Sequence, residues 1–177
     1  MSRSDNSADD VILVDEHDRA LGTMAKLSAH QRGLRHRAVS VIVRDRNSRL
    51  LLQQRAATKY HSGGLWTNTC CSHPRPGEDT LEAASRRLRE EMGVACELAF
   101  LFSTHYRADV SRGLIEDEIV HVFGGRFDGT PDPDPLEVAD WSWQDPDTLA
   151  RDLDENPEKY TVWFREYCRR FWPAMVG

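Results

Sequence analysis

The chain has no excess of positive charge: 23 lysines and arginines stand against 29 aspartates and glutamates, a formal net charge of −6 over 177 residues. That balance argues against a nucleic-acid partner, whose phosphates call for a basic surface. No uninterrupted apolar run approaches the ~20 residues that cross a bilayer, and the polar stretch MSRSDNSADD lacks the apolar core of a signal peptide. The expectation is a cytoplasmic protein with no membrane partner. Cysteine is scarce: Cys70, Cys71, Cys96 and Cys168 form no paired zinc-finger spacing, and the adjacent pair is poorly placed for a disulfide framework. Reduced thiols follow. With no internal repeat and no linker-like composition, a chain of this length reads as one domain able to bury a core without staples. Residues 1–10, polar and acidic, read as a disordered tail ahead of a domain spanning 11–177.

What is present begins with hydrophobic patterning. Val11 to Val14 reads as a short strand turning at Asp15 to Asp18, and a helical turn runs from Lys26 through His30 to Gly33. The apolar runs 38–43 and 50–54, separated by 44–49, form a hairpin or meander. Thr67 to Cys71 is extended and enters a rigid loop with two prolines and Gly77. A helix then starts near Glu78 and Asp79 and repeats Leu81, Ala84, Ser85, Leu88 and Met92 until Gly93 stops it. Strands follow at 97–103 and 118–127 with His105 and Tyr106 in the connection, then a PDPDP turn at 131–135 and a strand over 136–143. Asp145-Pro146 caps a short helix, and an aromatic-rich helix runs over 158–172.

Several residues carry chemistry. Cys71 stands two residues before His73, and a thiol becomes a base or nucleophile only beside a basic group or positive field. Glu116 and Glu118, two apart on a strand, share a face and repel each other unless a cation lies between them. Lys26 and His30 are four apart and can project from one side of a helical turn, with His36 just before a strand. Arg55 and Lys59 make a local cationic stretch that ends at Gly63-Gly64 and can approach an anion closely. Arg87 and Glu91 share a helix face. Trp163 is most simply core packing, although an indole facing a cavity also stabilises a cation. Taken singly, each has an ordinary reading: a solvated ion pair, a buried thiol, a capping histidine, a solubilising loop.

Together, Lys26…His30…His36, Arg55…Lys59, TNTCCSHP, SRRLREEMG, Tyr106, Glu116-Asp117-Glu118 and KYTVWF resemble the type I isopentenyl-diphosphate isomerases, members of the Nudix superfamily. The resemblance covers about residues 10–172 and implies an α+β fold: a single Nudix-type domain with mixed β-sheets sandwiched by helices. Glu78, Arg86, Leu88, Glu90, Glu91, Gly93 and Val94 resemble a Nudix box, with Ser72 in place of the first glycine and Arg87 in place of a glutamate. A cation at 87 suits holding a diphosphate intact more than cleaving it.

The same resemblance implies a metal site of His30, His36, His73, Glu116 and Glu118 taking Mn²⁺, Zn²⁺ or Mg²⁺, and Mg²⁺ near Glu91 on the substrate diphosphate. Lys26, Arg55, Lys59 and Arg87 would line the anion pocket. Cys71 and Glu118 would form the acid–base pair, Glu118 with Tyr106 giving the proton and Cys71 taking one, while Trp163 faces the developing cation. The implied partner is a small allylic or homoallylic diphosphate, the implied assembly a monomer or weak homodimer. His30 and His36 are six apart where the family is expected to have seven. The alternatives are a Nudix hydrolase of a nucleoside diphosphate derivative, or a noncatalytic metal- or diphosphate-binding module.

Overall fold

A computed structural model describes residues 9–177. Among these, nine strands and four helices occur in the order β1 (Asp10–Val14), β2 (Ala20–Ala25), α1 (Lys26–Arg32), β3 (His36–Arg44), β4 (Leu50–Arg55), β5 (Trp66–Thr67), β6 (Cys70–Ser72), α2 (Thr80–Met92), β7 (Leu98–Val110), β8 (Leu114–Arg126), β9 (Val138–Gln144), α3 (Pro146–Glu155) and α4 (Val162–Val176). Of the tail expected over 1–10, residues 1–8 lie outside the described residues, and Asp10 already pairs with Ala25.

The strand β3 organises the sheet, because its apolar run is buried on both faces. Val39, Val41 and Val43 pack with Ala83, Ala84, Leu88 and Met92 of α2, while Ala38 and Ile42 pack with Val120, Val122 and the Phe164 and Tyr167 rings of α4. Each Val, Ile, Leu, Met or Phe side chain among them contributes about 1.5–3 kcal/mol when taken from water, so helices are held on both faces. On one edge β8 runs parallel to β3, from His36 opposite Glu118 to Arg44 opposite Arg126. On the other, β6 runs antiparallel with Cys71 opposite Ser40. The hairpin expected over 38–54 closes only at Arg44 opposite Leu50, beyond which β4 leaves β3 and pairs with β5 and β9. The expected architecture of mixed sheet between helices is therefore the observed one.

Asp79 caps α2 by accepting from Leu81 N at 2.8 Å and Glu82 N at 3.3 Å. Gly93 ends the helix at φ 63°, and a Cβ there would lie 2.4 Å from Asp132 O. The proline-rich loop sits that close because its amides cap the helix: Asp132 N donates to Met92 O and Asp134 N to Glu91 O, both at 3.0 Å.

Three expectations differ from the structure. His105 and Tyr106 are not in a connection but inside β7, which pairs with β8 over their full lengths. Beyond Ser103 the strand alternates polar residues that face the site or the surface, which hides its continuation from the hydrophobic pattern. The strand β2 was not anticipated, since ALGTMA has a single β-branched residue and lies at an exposed edge. The last helix begins later and ends later than expected, after a 3₁₀ turn at Pro157–Lys159.

Candidate active site

Parallel pairing sets Glu118 of β8 beside His36 of β3, and antiparallel pairing sets Tyr106 of β7 on its other side. Glu118 Oε1 lies 2.9 Å from His73 Nε2, 3.2 Å from His36 Nε2 and 3.9 Å from His30 Nε2. The Tyr106 hydroxyl is 2.8 Å from both Glu116 Oε2 and Glu118 Oε2. A phenol carries one proton and can donate to only one of them, so two buried carboxylates this close require a further proton or a cation. Burial and the charge on Glu118 push the Glu116 carboxyl well above its ordinary pKa. Burial acts the same way on Glu118, but the His36 and His73 contacts outweigh it and hold that carboxyl well below.

The outer nitrogens of two imidazoles are fixed by backbone carbonyls, His30 Nδ1 by Lys26 O at 2.7 Å and His36 Nδ1 by Leu34 O at 2.8 Å. Their Nε2 atoms therefore face inward, the arrangement that orients imidazoles toward a metal. Burial pushes His73 down to about 4 and, with the neighbouring His36, lowers His30. Burial also opposes charge on His36, yet the Glu118 contact raises its pKa. Donor atoms of His30, His36, His73 and Glu118 all lie within 4.8 Å of one another. This nitrogen–oxygen set, with Glu116 adjacent, fits a divalent cation.

Cys71, on β6, pairs opposite Ser40, four residues along β3 from His36. Its Sγ donates to Asn68 Oδ1 at 3.1 Å and is 3.0 Å from Ser40 Oγ, which is itself 3.0 Å from the Tyr167 hydroxyl. Asn68 is held by its amide, which donates to Val41 O at 3.0 Å and Cys70 O at 2.9 Å. Cys70 faces the opposite way, into the core under α2. Burial pushes the Cys71 thiol up to about 12, the Ser40 and Asn68 contacts pulling the other way. Moving a thiol from 9.0 to about 12 cuts its thiolate fraction about a thousandfold at pH 8, partly offset by higher intrinsic nucleophilicity. Native Cys71 is therefore expected to react with iodoacetamide at pH 8 some thirty- to a hundredfold more slowly than in the unfolded chain, read by peptide mapping; equal rates would show that the thiol is not held neutral.

The polar end of the cavity is cationic. Arg87 donates to Glu90 Oε2 at 2.7 Å and Glu91 Oε1 at 2.6 Å, and lies 3.4 Å from Glu137 Oε1. Glu91 is 5% exposed and accepts from Gln53 Nε2 at 3.1 Å, so this pair is no solvated helix bridge. Lys59 pairs with Glu137. The Lys26 ammonium lies 5.3 Å from the centre of the Tyr60 ring, and burial and the nearby Lys59 charge lower its pKa. Arg55 sits over the Trp163 ring at 5.3 Å. Arg55 Nε, Arg87 Nε and Trp163 Nε1 are buried with no hydrogen-bond partner among the described residues. Cys71, Glu118 and these cations line one cavity of about 250 Å³.

Residues 34–164 match the model of the NUDIX domain family. Isopentenyl-diphosphate Delta-isomerase 2 of Aromatoleum aromaticum is 58% identical over 155 residues, covering 88% of this chain and 82% of that protein. Isopentenyl-diphosphate Delta-isomerase of Serratia proteamaculans is 54% identical, covering 87% and 86%. This chain belongs to the isopentenyl-diphosphate Delta-isomerase family. Among solved structures, a Deinococcus radiodurans protein superposes with a TM-score of 0.76 at 20% identity, over 91% of this chain and 98% of that one. A MutT protein from Methanosarcina mazei gives 0.65 at 19% identity, over 78% and 94%. At such identities these two report the fold alone.

As a member of the isomerase family, the chain departs from a hydrolase box at Arg87, whose guanidinium is turned onto Glu90, Glu91 and Glu137. The residues expected from the resemblance come from distant elements and converge: Lys26 and His30 on α1, His36 on β3, Arg55 and Lys59 at the end of β4, Cys71 and His73 at β6, Arg87 and Glu91 on α2, Tyr106 on β7, Glu116 and Glu118 on β8, and Trp163 on α4. The short His30–His36 spacing does not remove His30 from the set, because α1 ends in Gly33 at φ 58° and the chain turns directly into β3. Trp163 has a closer cation than expected, since Arg55 lies over its ring. His61, Asn68, Ser40, Tyr167 and Glu137 were not singled out from the sequence. Ser40, polar among the apolar residues of β3, is the one local signal.

Proposed function

We propose that this enzyme interconverts isopentenyl diphosphate and dimethylallyl diphosphate in isoprenoid biosynthesis. The observation that carries this reading is that Cys71 and Glu118 line one cavity whose far wall is cationic. They reach it from strands flanking β3, offset by four positions in register.

Isomerisation adds a proton to the terminal methylene carbon, C4, and removes one from C2, with positive charge at C3 between the two events. Acid and base must therefore sit on either side of a dry hydrocarbon. The ligand-free chain offers one exchangeable proton to the pair, carried on the Cys71 sulfur and donated to Asn68, while Glu118 only accepts. From that state the thiol gives a proton to C4 and Glu118 takes one from C2. With the proton on Glu118 and the thiol ionised instead, as the family resemblance implied, Glu118 with Tyr106 gives the proton to C4 and Cys71 takes one from C2; in either assignment the back reaction returns each proton through the same group at the same carbon. Tyr106, whose hydroxyl lies 2.8 Å from both carboxylates, links Glu118 to Glu116. Lys26, Arg55, Lys59 and Arg87 hold the diphosphate, and its charge separates the Lys59 and Arg87 side chains from Glu137.

A divalent ion of the Mn²⁺, Zn²⁺ or Mg²⁺ kind, held by His30, His36, His73, Glu116 and Glu118, would supply the positive charge that the paired carboxylates require, and Mg²⁺ at Glu91 would accompany the diphosphate. Trp163 borders the cavity and lends π density to the cation at C3. No helix among the described residues is long and apolar enough to cross a membrane. We read the enzyme as cytoplasmic, a monomer or weak homodimer, without a nucleic-acid or membrane partner.

The test is proton and phosphorus magnetic resonance of isopentenyl diphosphate incubated with metal-loaded protein. New geminal methyl signals with both phosphorus resonances intact are expected. Inorganic phosphate without new methyl signals would overturn the reading.

A further inference from the structure

His61 lies in the site without a task in the mechanism above. It is 3% exposed, its ring stacks on His30 with centroids 5.6 Å apart, and its Nε2 lies 3.2 Å from Glu116 Oε1. Donor atoms of His30, His61 and Glu116 lie within 4.8 Å of one another, a second group that shares His30 with the His30, His36, His73 and Glu118 set.

The shared residue decides how the two groups relate. His30 Nδ1 is occupied by the Lys26 carbonyl at 2.7 Å, so only Nε2 is free to bind, and one lone pair serves one ion. The two groups therefore belong to a single centre. His61 also repeats the pattern of its neighbours: His30 and His36 anchor Nδ1 on an oxygen and turn Nε2 inward, and His61 anchors Nδ1 on Ser62 Oγ at 3.2 Å with Nε2 on Glu116.

We propose that His61 is a fourth imidazole ligand of the metal centre, so that the protein supplies six donor groups and leaves no position on the ion for water. A site closed in this way holds and orients, whereas a catalytic hydrolytic site keeps a position open for the attacking water. The centre is separate from the Glu91 side of the cavity where the diphosphate is held, and its closure does not depend on the isomerase reading.

The test uses metal-stripped full-length chain reloaded with Mn²⁺. Electron spin-echo modulation with ¹⁵N-histidine protein is expected to count four coordinated imidazoles in the wild type and three in His61→Ala and His61→Gln. Water-proton relaxation is expected to show no exchangeable water on the bound ion in the wild type and one in His61→Ala, with the Mn²⁺ Kd at least tenfold weaker. Circular dichroism and melting of the ligand-free variants check the fold. Three imidazoles in the wild type, an unchanged count in His61→Ala, or full Mn²⁺ affinity in His61→Gln would each overturn the proposal, the last because glutamine can position Glu116 but replaces the ligating nitrogen poorly. Isomerisation with only three imidazoles sinks this inference alone; four imidazoles without isomerisation sinks the functional reading and leaves the closed centre standing.

Discussion

Cys71→Ala is expected to lower kcat for isomerisation by about 10⁴, the upper end of what a positioned proton-transfer group contributes, while the Kd for the diphosphate substrate stays within about threefold. The asymmetry follows from where the thiol sits. Its contacts are Asn68 and Ser40, and none of the cations at the polar end depends on it. An alkene offers a transferred proton no lone pair to collect it from solvent at a useful rate, so no water easily replaces the lost group. The fold tolerates the change, since one sulfur hydrogen bond is worth about 1 kcal/mol or less. Turnover at a tenth of the wild-type rate or above, measured at saturating substrate with binding checked by calorimetry, would contradict the role given to this thiol.

Glu118→Gln is expected to act on two quantities together. The amide keeps the shape but loses the charge that meets three imidazoles through Oε1, so divalent-ion affinity is expected to fall ten- to a hundredfold or more. The amide also has no lone pair basic enough to take a proton from C2, so kcat is expected to fall by about 10⁴ even when metal is added to saturation. Chelator competition reads the first effect and turnover at high metal the second. Recovery of wild-type kcat on adding metal would mean that Glu118 serves the ion and not the proton.

Both variants act on residues legible in the sequence, and the reason is local. Glu116 and Glu118 share a face by period two, and the helix from Asp79 to Gly93 announces itself by its cap, its periodicity and its glycine. The apolar run 38–43 reads as one arm of a hairpin or meander, and its place at the centre of the sheet comes from β6 and β8, far along the chain. What stayed hidden depends on partners far along the chain. Locally Tyr106 looks like part of a connection, because its strand alternates polar residues whose burial comes from β8 and α4, which no local window contains. His61 sits in a cationic stretch that looks like a solvated loop, and only the approach of Glu116, fifty-five positions on, makes it a site residue. Asn68 and Ser40 are ordinary polar residues until Cys71 is placed between them. Glu137 follows a proline-rich turn, and its pairing with Lys59 and Arg87 comes from the docking of that turn on α2.

The exchange of hydrogen with solvent tests the central claim most directly. Isopentenyl diphosphate is incubated with metal-loaded chain in deuterium oxide and the recovered diphosphates are followed by ²H and ³¹P resonance. Deuterium entering a methyl group and the C2 position, with both phosphorus signals unchanged, is the predicted result. Unlabelled substrate, or phosphate liberated without label on carbon, would contradict it.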